Sequence, residues 1–154
     1  MKNNDLTAKA IEEKMKIYCS YQDRCHKEVL EKLKKFNIDF QEKNEIISNL
    51  ISENFLNESR FSKNFARGKF RIKNWGKIKI TNELKFRNIS TYNISLALKE
   101  ISDEDYLKKL DYIFKKKLSN LYNLKNETKK KKIFSYLRYR GWEKNLIFEK
   151  INEI

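Results

Sequence analysis

The chain has 154 residues and carries 35 basic against 21 acidic side chains, a formal net charge of +14. It contains no proline and only three glycines, while Lys, Glu, Leu and Ile abound, so helix breakers are scarce and an all-α protein is predicted. The length leaves little room for a separate catalytic domain.

Membrane and secreted classes are excluded by simple patterns. No apolar run approaches the roughly 20 residues of a membrane span, and residues 1–5 lack the basic and then apolar pattern of a signal peptide. Cys19 and Cys25 are too few for a disulfide framework and lack the CxxC spacing of a zinc site, which favours two reduced thiols. We expect a cytoplasmic protein with no membrane partner.

One apolar pattern occurs three times, at offsets of 51 and 53 residues. In each copy two apolar residues at i and i+4 mark a helix face, and an Asn or Gly stands where a left-handed residue would end the helix. The first copy is Val29, Leu33, Phe36, Asn37 and Ile38, the second is Ile80, Leu84, Arg87, Asn88 and Ile89, and the third is Ile133, Leu137, Arg140, Gly141 and Trp142.

Each copy lies between two further helical patterns. The longer helices before the copies are predicted at 6–20, 57–74 and 102–123, and Ser90 and Ser102 are predicted N-caps. We therefore predict three tandem three-helix units, at residues 1–56, 57–101 and 102–154, stacked into an elongated, curved array. The lysine-rich segment 125–132 is predicted to be an exposed connection within the third unit.

The helix predicted at 57–74 is strongly basic on one face. Its apolar stripe, expected to face the core, consists of Phe61, Phe65, Gly68 and Ile72, and Trp75 would extend it. Phe70 is placed on the opposite side, while a second face gathers Arg60, Lys63, Arg67 and Arg71.

Two interpretations of that basic face remain open. Arginines beside an aromatic ring suit a carboxylate, phosphate or protein partner. Alternatively, the charges are only solvated and Phe70 packs against the neighbouring unit. Between Arg60 and Arg87 there are ten basic residues and one acidic residue, Glu83, an imbalance beyond what solubility needs.

Catalytic groups are not recognisable in the sequence. His26 is the only histidine, and no Cys, Asp or Glu cluster stands at metal-ligand spacing. The three glycines are isolated, so no phosphate-binding loop is present. We expect a non-enzymatic protein without metal or cofactor.

Three stretches resemble the bacterial RecX family: YCSYQDRCH at 18–26, the run 54–90, and YLRYRGW at 136–142. The most specific part is RGKFRIKNWGKIKITNEL at 67–84, where a basic helix, a Trp-Gly turn and an Ile-x-x-x-Leu helix follow the family's order. The likeness extends from about residue 10 to the end of the chain.

The resemblance implies a regulator that lies in the helical groove of the RecA filament on DNA. Such a protein would bridge adjacent RecA subunits and inhibit the recombinase, ATPase and co-protease activities. It is expected to act as a monomer. The expected contact residues, carried over from the family or read from the basic helix, are Arg24, His26, Arg60, Arg67, Lys69, Phe70, Arg71, Lys73, Lys77, Arg138 and Arg140.

Two other binding functions stay open. The protein could bind single- or double-stranded DNA directly and affect RecA by competition for DNA, in which case its affinity should fall with salt. A helix-turn-helix regulator is also conceivable, but no arginine-rich recognition helix follows Asn88.

Overall fold

The computed structural model describes residues 6–154. Nine α-helices and no β-strand occur in this range, which confirms the predicted all-α class. No helix within it is both long and apolar enough to cross a membrane. The expectation about a signal peptide rests on residues 1–5, which lie outside the described residues.

The helices follow the chain with short connections. They are α1 Ala8–Tyr21, α2 His26–Leu33, α3 Phe40–Ser52, α4 Glu58–Lys73, α5 Lys77–Phe86, α6 Thr91–Leu98, α7 Asp103–Ser119, α8 Asn126–Tyr139 and α9 Lys144–Ile151. The long helices predicted before each repeat correspond to α1, α4 and α7. The segment 125–132 is not a connection as predicted, because α8 begins at Asn126 and includes most of its lysines.

The chain divides into two compact units. Unit 1 contains the residues up to Phe61 together with Arg87–Ile89, and unit 2 contains Ser62–Phe86 and Ser90–Ile154. One division falls inside α4. The three-unit boundaries after residues 56 and 101 stay a prediction.

Unit 1 has its own apolar core, formed by α1, α2 and α3. Its buried members are Ile11, Met15, Cys19, Val29, Leu33, Ile46, Leu50 and Leu56. Cys19 and Cys25 are free, buried thiols, and burial raises the pKa of both. A thiol kept protonated by burial is a poor nucleophile.

The repeated apolar pairs are core residues, as predicted. Val29 and Leu33 are buried in unit 1. The corresponding pairs in unit 2, Ile80 with Leu84 and Ile133 with Leu137, are buried as well. The i, i+4 spacing therefore identified the inward face of α2, α5 and α8 correctly.

Helix ends follow the predicted chemistry at most positions. The hydroxyls of Ser90 and Ser102 accept the backbone N–H groups of Asn93 and Asp105, at 3.2 and 3.1 Å. The predicted left-handed residues Asn88 and Gly141 have φ of 60° and 85°.

The first copy departs from that pattern. Asn37 is not left-handed, because α2 ends through a right-handed C-cap at Lys34. Left-handed asparagines end other helices instead: Asn54 follows α3 and Asn74 follows α4, with φ of 62° and 59°.

The predicted core face of α4 is correct at Phe61, which is buried, but wrong at Phe70 and Ile72. Phe70 is buried with 7% exposure, whereas Ile72, placed in the apolar stripe, is 78% exposed. Ser62 and Ala66 are fully buried and mark the inward side together with Phe70. The ring of Phe70 lies 6.0 Å from that of Tyr106 on α7, a helix assigned by the sequence to the neighbouring unit, so this part of the alternative interpretation is observed.

In unit 2 the turn between α4 and α5 contacts the turn between α8 and α9, and a glycine lies on each side of the contact. Gly76 N–H donates to the Arg140 carbonyl at 2.8 Å, and Ile78 N–H donates to the Gly141 carbonyl at 3.0 Å. A Cβ on Gly76 would lie 2.4 Å from the Gly141 oxygen, which no side chain tolerates. Close backbone approach therefore requires glycine here.

Trp142 reinforces this contact. Its side chain is fully buried, its indole N–H donates to the Asn74 carbonyl at 3.0 Å, and its ring stacks on Tyr106 at 4.4 Å. The α4–α5 turn is thus fixed to the α8–α9 turn by both backbone and side-chain hydrogen bonds.

Candidate partner-binding surface

The outer face of α4 within unit 2 carries a basic concavity, which we call the α4 groove. It has a volume of about 440 Å³ and is lined by Asn64, Arg67, Gly68, Arg71 and Ile72. These residues stand on one side of the helix because positions three and four apart share a face. The groove combines two guanidinium groups with one exposed aliphatic side chain.

The two arginines of the α4 groove differ in their partners. Arg67 lies 3.4 Å from a Glu100 carboxylate oxygen and also hydrogen-bonds Asn64. Glu100 is shared with Lys63, whose Nζ lies 3.9 Å away. Arg71 is exposed and pairs with no carboxylate of residues 6–154. The surface is therefore basic even after its internal ion pair is counted.

Lys69, Trp75, Lys79 and Tyr139 form a second feature, the cation–aromatic row. The Nζ atoms of Lys69 and Lys79 lie 5.0 and 4.8 Å from the Trp75 ring. Lys79 Nζ also lies 4.4 Å from the ring of Tyr139, which is 75% exposed. Alternating cations and ring faces are typical of surfaces that bind single-stranded nucleic acid.

A third feature, the α7–α8 groove, adjoins Tyr139. Its volume is about 590 Å³, and its lining residues include four cations and no carboxylate. The lining residues are Lys117, Leu121, Lys131, Lys132, Ser135, Tyr136, Tyr139 and Arg140. The Arg140 guanidinium lies 3.7 Å from the Tyr136 ring centre, and Lys117 Nζ lies 4.8 Å from it. The groove suits an anion that carries flat rings.

Several predicted contact residues are engaged inside the protein instead. In unit 1, Arg60 donates to the carbonyls of Asn54 and Phe55 at 3.1 and 3.3 Å and pairs with Asp23 at 3.2 Å. These bonds satisfy carbonyl groups of the connection between α3 and α4. Arg60 therefore stabilises this connection.

Arg24 and His26 of unit 1 are also partly withdrawn from the surface. The Arg24 guanidinium stacks 3.9 Å from the Tyr18 ring centre, donates to the Tyr18 carbonyl and approaches Glu28 at 3.5 Å. The Nδ1 atom of His26 is buried and has no hydrogen-bond partner in the described part of the chain.

Lys77 lies at a buried polar cluster. Its Nζ lies 4.7 Å from the Tyr106 ring and 3.8 Å from Asp103, and its backbone N–H donates to the Tyr106 hydroxyl at 2.9 Å. That hydroxyl donates to Glu143 at 2.7 Å, and burial raises the phenol pKa. Lys77 is placed to stabilise the helix packing.

The remaining predicted residues are either bonded within the protein or exposed at its surface. Arg138 donates to the Trp142 carbonyl at 3.0 Å, which ties down the α8–α9 turn. Lys73 is exposed at the end of α4. Arg67, Arg71, Lys69 and Arg140 are the predicted residues that line one of the three surface features.

Sequence reasoning missed several residues of these surfaces, among them Lys79, Lys117, Tyr136 and Tyr139. Tyr136 and Tyr139 stand three residues apart in a helix, a spacing that places both rings on one face. That signal was available in the sequence. Lys79 and Tyr139 are 60 positions apart, and only the contact between the two turns brings them together.

The family model described as "RecX, second three-helix domain" matches residues 57–98, which include α4, α5 and α6. "Regulatory protein RecX" of Lactobacillus gasseri is 29% identical over 138 residues, covering 88% of this chain and 51% of the relative. The protein of the same name from Lactococcus lactis subsp. cremoris is 32% identical over 130 residues, covering 81% and 48%.

Solved structures share the fold. "Crystal structure of RecX from Lactobacillus salivarius" superposes with a TM-score of 0.83 at 24% identity and covers 95% of both chains. "Crystal structure of regulatory protein RecX" superposes with a TM-score of 0.81 at 19% identity, covering all of this chain and 83% of the other. At these identities the likeness shows the fold alone.

Fold and surface define an all-helical protein with grooves lined by basic residues. The family model and the curated relatives support its assignment to the RecX family. It spans about half the length of the curated relatives it matches.

Proposed function

We propose that this protein is a non-enzymatic regulator that binds the RecA filament on DNA in its helical groove. The proposal includes inhibition of the recombinase, ATPase and co-protease activities, and thereby regulation of DNA repair and recombination. The link to RecA comes from the resemblance to the RecX family, and the name "Regulatory protein RecX" of the curated relatives supports a regulatory role. The α4 groove supplies the chemistry, because its exposed guanidinium groups suit an acidic partner.

The observation that carries the proposal is Arg71, which pairs with no carboxylate of residues 6–154, beside Arg67 within the segment matched by the family model. A charged residue on a rigid helix, one turn from a second one, is preorganised to bind carboxylates without rearrangement. A regulator held in the filament groove would bind some filament conformations better than others. It would therefore shift the filament away from the states needed for hydrolysis and strand exchange.

The test is DNA-dependent ATP hydrolysis by the RecA of the same organism on single-stranded DNA, with this protein added below one copy per RecA subunit. We expect strong inhibition by the native sequence and relief of inhibition by the double change Arg67→Glu and Arg71→Glu. The matched control is Lys34→Glu with Lys35→Glu, which alters net charge equally at two exposed positions after α2. Equal loss with both pairs would point to bulk charge and refute a specific α4 contact.

A second function, direct DNA binding with competition for DNA, is favoured by a different observation. The cation–aromatic row and the α7–α8 groove offer ring faces and cations together, with no lining carboxylate in the groove. Under this alternative, inhibition appears only when the protein is abundant enough to coat the DNA. The logarithm of the affinity for bare DNA would then fall linearly with the logarithm of the salt concentration.

A further inference from the structure

The unusual residue of the α4 groove is Gly68. It stands inside α4, which extends over Glu58–Lys73, and glycine is less favourable in a helix interior than any residue except proline. A Cβ built on Gly68 would meet no atom within 4 Å apart from the two adjacent residues and the nearby backbone of α4 itself. Gly76 and Gly141, in contrast, are required by backbone contacts inside the fold. Packing within the protein thus gives no reason for glycine at position 68.

We propose that Gly68 is the point at which an acidic polypeptide segment of the partner approaches the α4 backbone, with its carboxylates bound by Arg67 and Arg71. The inference rests on the proposed function and deepens it by naming the chemistry of the docked segment. Without a side chain at position 68, the segment can lie against the helix backbone, and the two guanidinium groups stand beside it on the same face.

Charge complementarity identifies the occupant as acidic. Arg71 has no carboxylate partner among the described residues, and Arg67 already accommodates the carboxylate of Glu100 at 3.4 Å. A planar guanidinium binds a carboxylate through two parallel hydrogen bonds, which fixes orientation as well as charge. A second carboxylate supplied by the partner would complete the basic groove.

The exposed side chain of Ile72 identifies the occupant as polypeptide. It is 78% exposed and lines the same concavity, where an aliphatic group has no role in phosphate binding but packs against side chains of a protein. No aromatic ring lines the α4 groove on which a base could stack. The rings lie instead in the cation–aromatic row, a separate surface.

The test uses the full chain with Gly68→Ala and Gly68→Leu and measures binding to RecA filaments on single-stranded DNA. Both changes should stabilise α4, with a rise in Tm of about 2 to 4 °C for alanine. We expect filament affinity to fall in the order glycine, alanine, leucine, by about tenfold or more for leucine, because the added side chain fills the contact. The matched control is Ser48→Ala, an exposed position inside α3 that also gains helix propensity.

A second probe, a fluorescent poly-L-glutamate peptide at low salt, separates this inference from the proposed function. If the native sequence binds the peptide and Gly68→Leu weakens that binding, the acidic-segment inference holds, even if RecA filaments are not bound. If Gly68→Leu binds filaments and peptide as well as the native sequence does, the inference is overturned. A loss confined to bare DNA would also overturn it, because the occupant would then be nucleic acid.

Discussion

The hydroxyl of Tyr106 donates to the carboxylate of Glu143, with oxygen–oxygen distances of 2.7 and 2.9 Å. The same oxygen accepts the backbone N–H of Lys77 at 2.9 Å. One phenol thereby links the start of α5, the first turns of α7 and the start of α9. A largely buried polar group that satisfies two partners is costly to remove, since both partners then lose a hydrogen bond.

The change Tyr106→Phe should lower the free energy of unfolding by about 1 to 3 kcal/mol, because the Lys77 N–H and the Glu143 carboxylate are left without this partner. Chemical denaturation followed by circular dichroism measures the effect. Tyr122→Phe is the control, since Tyr122 is exposed. Equal stability of the two variants would contradict the assigned role of the phenol.

Alkaline pH should destabilise the protein partly through Tyr106. Burial raises the pKa of this phenol in the folded state, so the folded protein keeps the proton while the unfolded chain loses it above about pH 10. Ionisation therefore lowers the free energy of the unfolded state as the pH rises, and the stability of the folded protein falls. Between about pH 9 and pH 11 the loss should be smaller in Tyr106→Phe than in the native sequence, as measured by denaturation at each pH.

Alanine at either turn glycine, Gly76 or Gly141, should lower the stability of the fold, whereas alanine at position 68 should raise it. Gly141→Ala places a Cβ 2.3 Å from the Lys79 backbone nitrogen at a φ of 85°, so both strain and collision oppose it. We expect a loss of more than about 2 kcal/mol of stability. Thermal unfolding compares it with Gly68→Ala, and a neutral Gly141→Ala would refute the close contact between the turns.

Arg60 is expected to govern stability, not partner affinity. Arg60→Ala removes its hydrogen bonds to the Asn54 and Phe55 carbonyls and its ion pair with Asp23. The expected loss is about 1 to 3 kcal/mol. Filament binding, measured where both proteins are folded, should be close to native. Arg67→Ala should instead lower filament affinity and leave stability close to native. Equal effects of the two variants on stability and on affinity would contradict this assignment.

The α7–α8 groove gives a quantitative test of direct DNA binding. Replacing Lys131 and Lys132 by glutamine should reduce the slope of log affinity against log salt on single-stranded DNA by about 1.4, if each lysine binds one phosphate. Lys34→Gln with Lys35→Gln is the control. An unchanged slope in the groove variant would exclude these lysines as phosphate contacts.

Local rules predicted local features well. The Val29–Leu33 pair and its two repeats were found by spacing alone, because burial of an i, i+4 pair depends mainly on the helix that carries it. The Ser90 and Ser102 caps were also evident, since a cap bonds to its own helix. These features require no knowledge of neighbouring helices.

Features that depend on distant neighbours were not predictable. Phe70 and Ile72 are both large and apolar, and the sequence of α4 alone does not decide which one is buried. Tyr106 of α7 decides it, by packing on the Phe70 side of the helix. The cation–aromatic row could not be predicted for the same reason, because Lys79 contacts Tyr139 only as a result of the contact between the two turns.

The hydrogen bond from Trp142 to Asn74 joins residues 68 positions apart, which has a consequence for synthesis on the ribosome. At typical elongation rates of about 5 to 20 residues per second, Trp142 is synthesised on the order of 3 to 14 s after Asn74. During that interval Gly76 also lacks the Arg140 carbonyl that it binds in the finished protein. The nascent α4 and α5 helices therefore emerge before the residues that lock their turn, and completion of unit 2 is tied to the arrival of its last two helices.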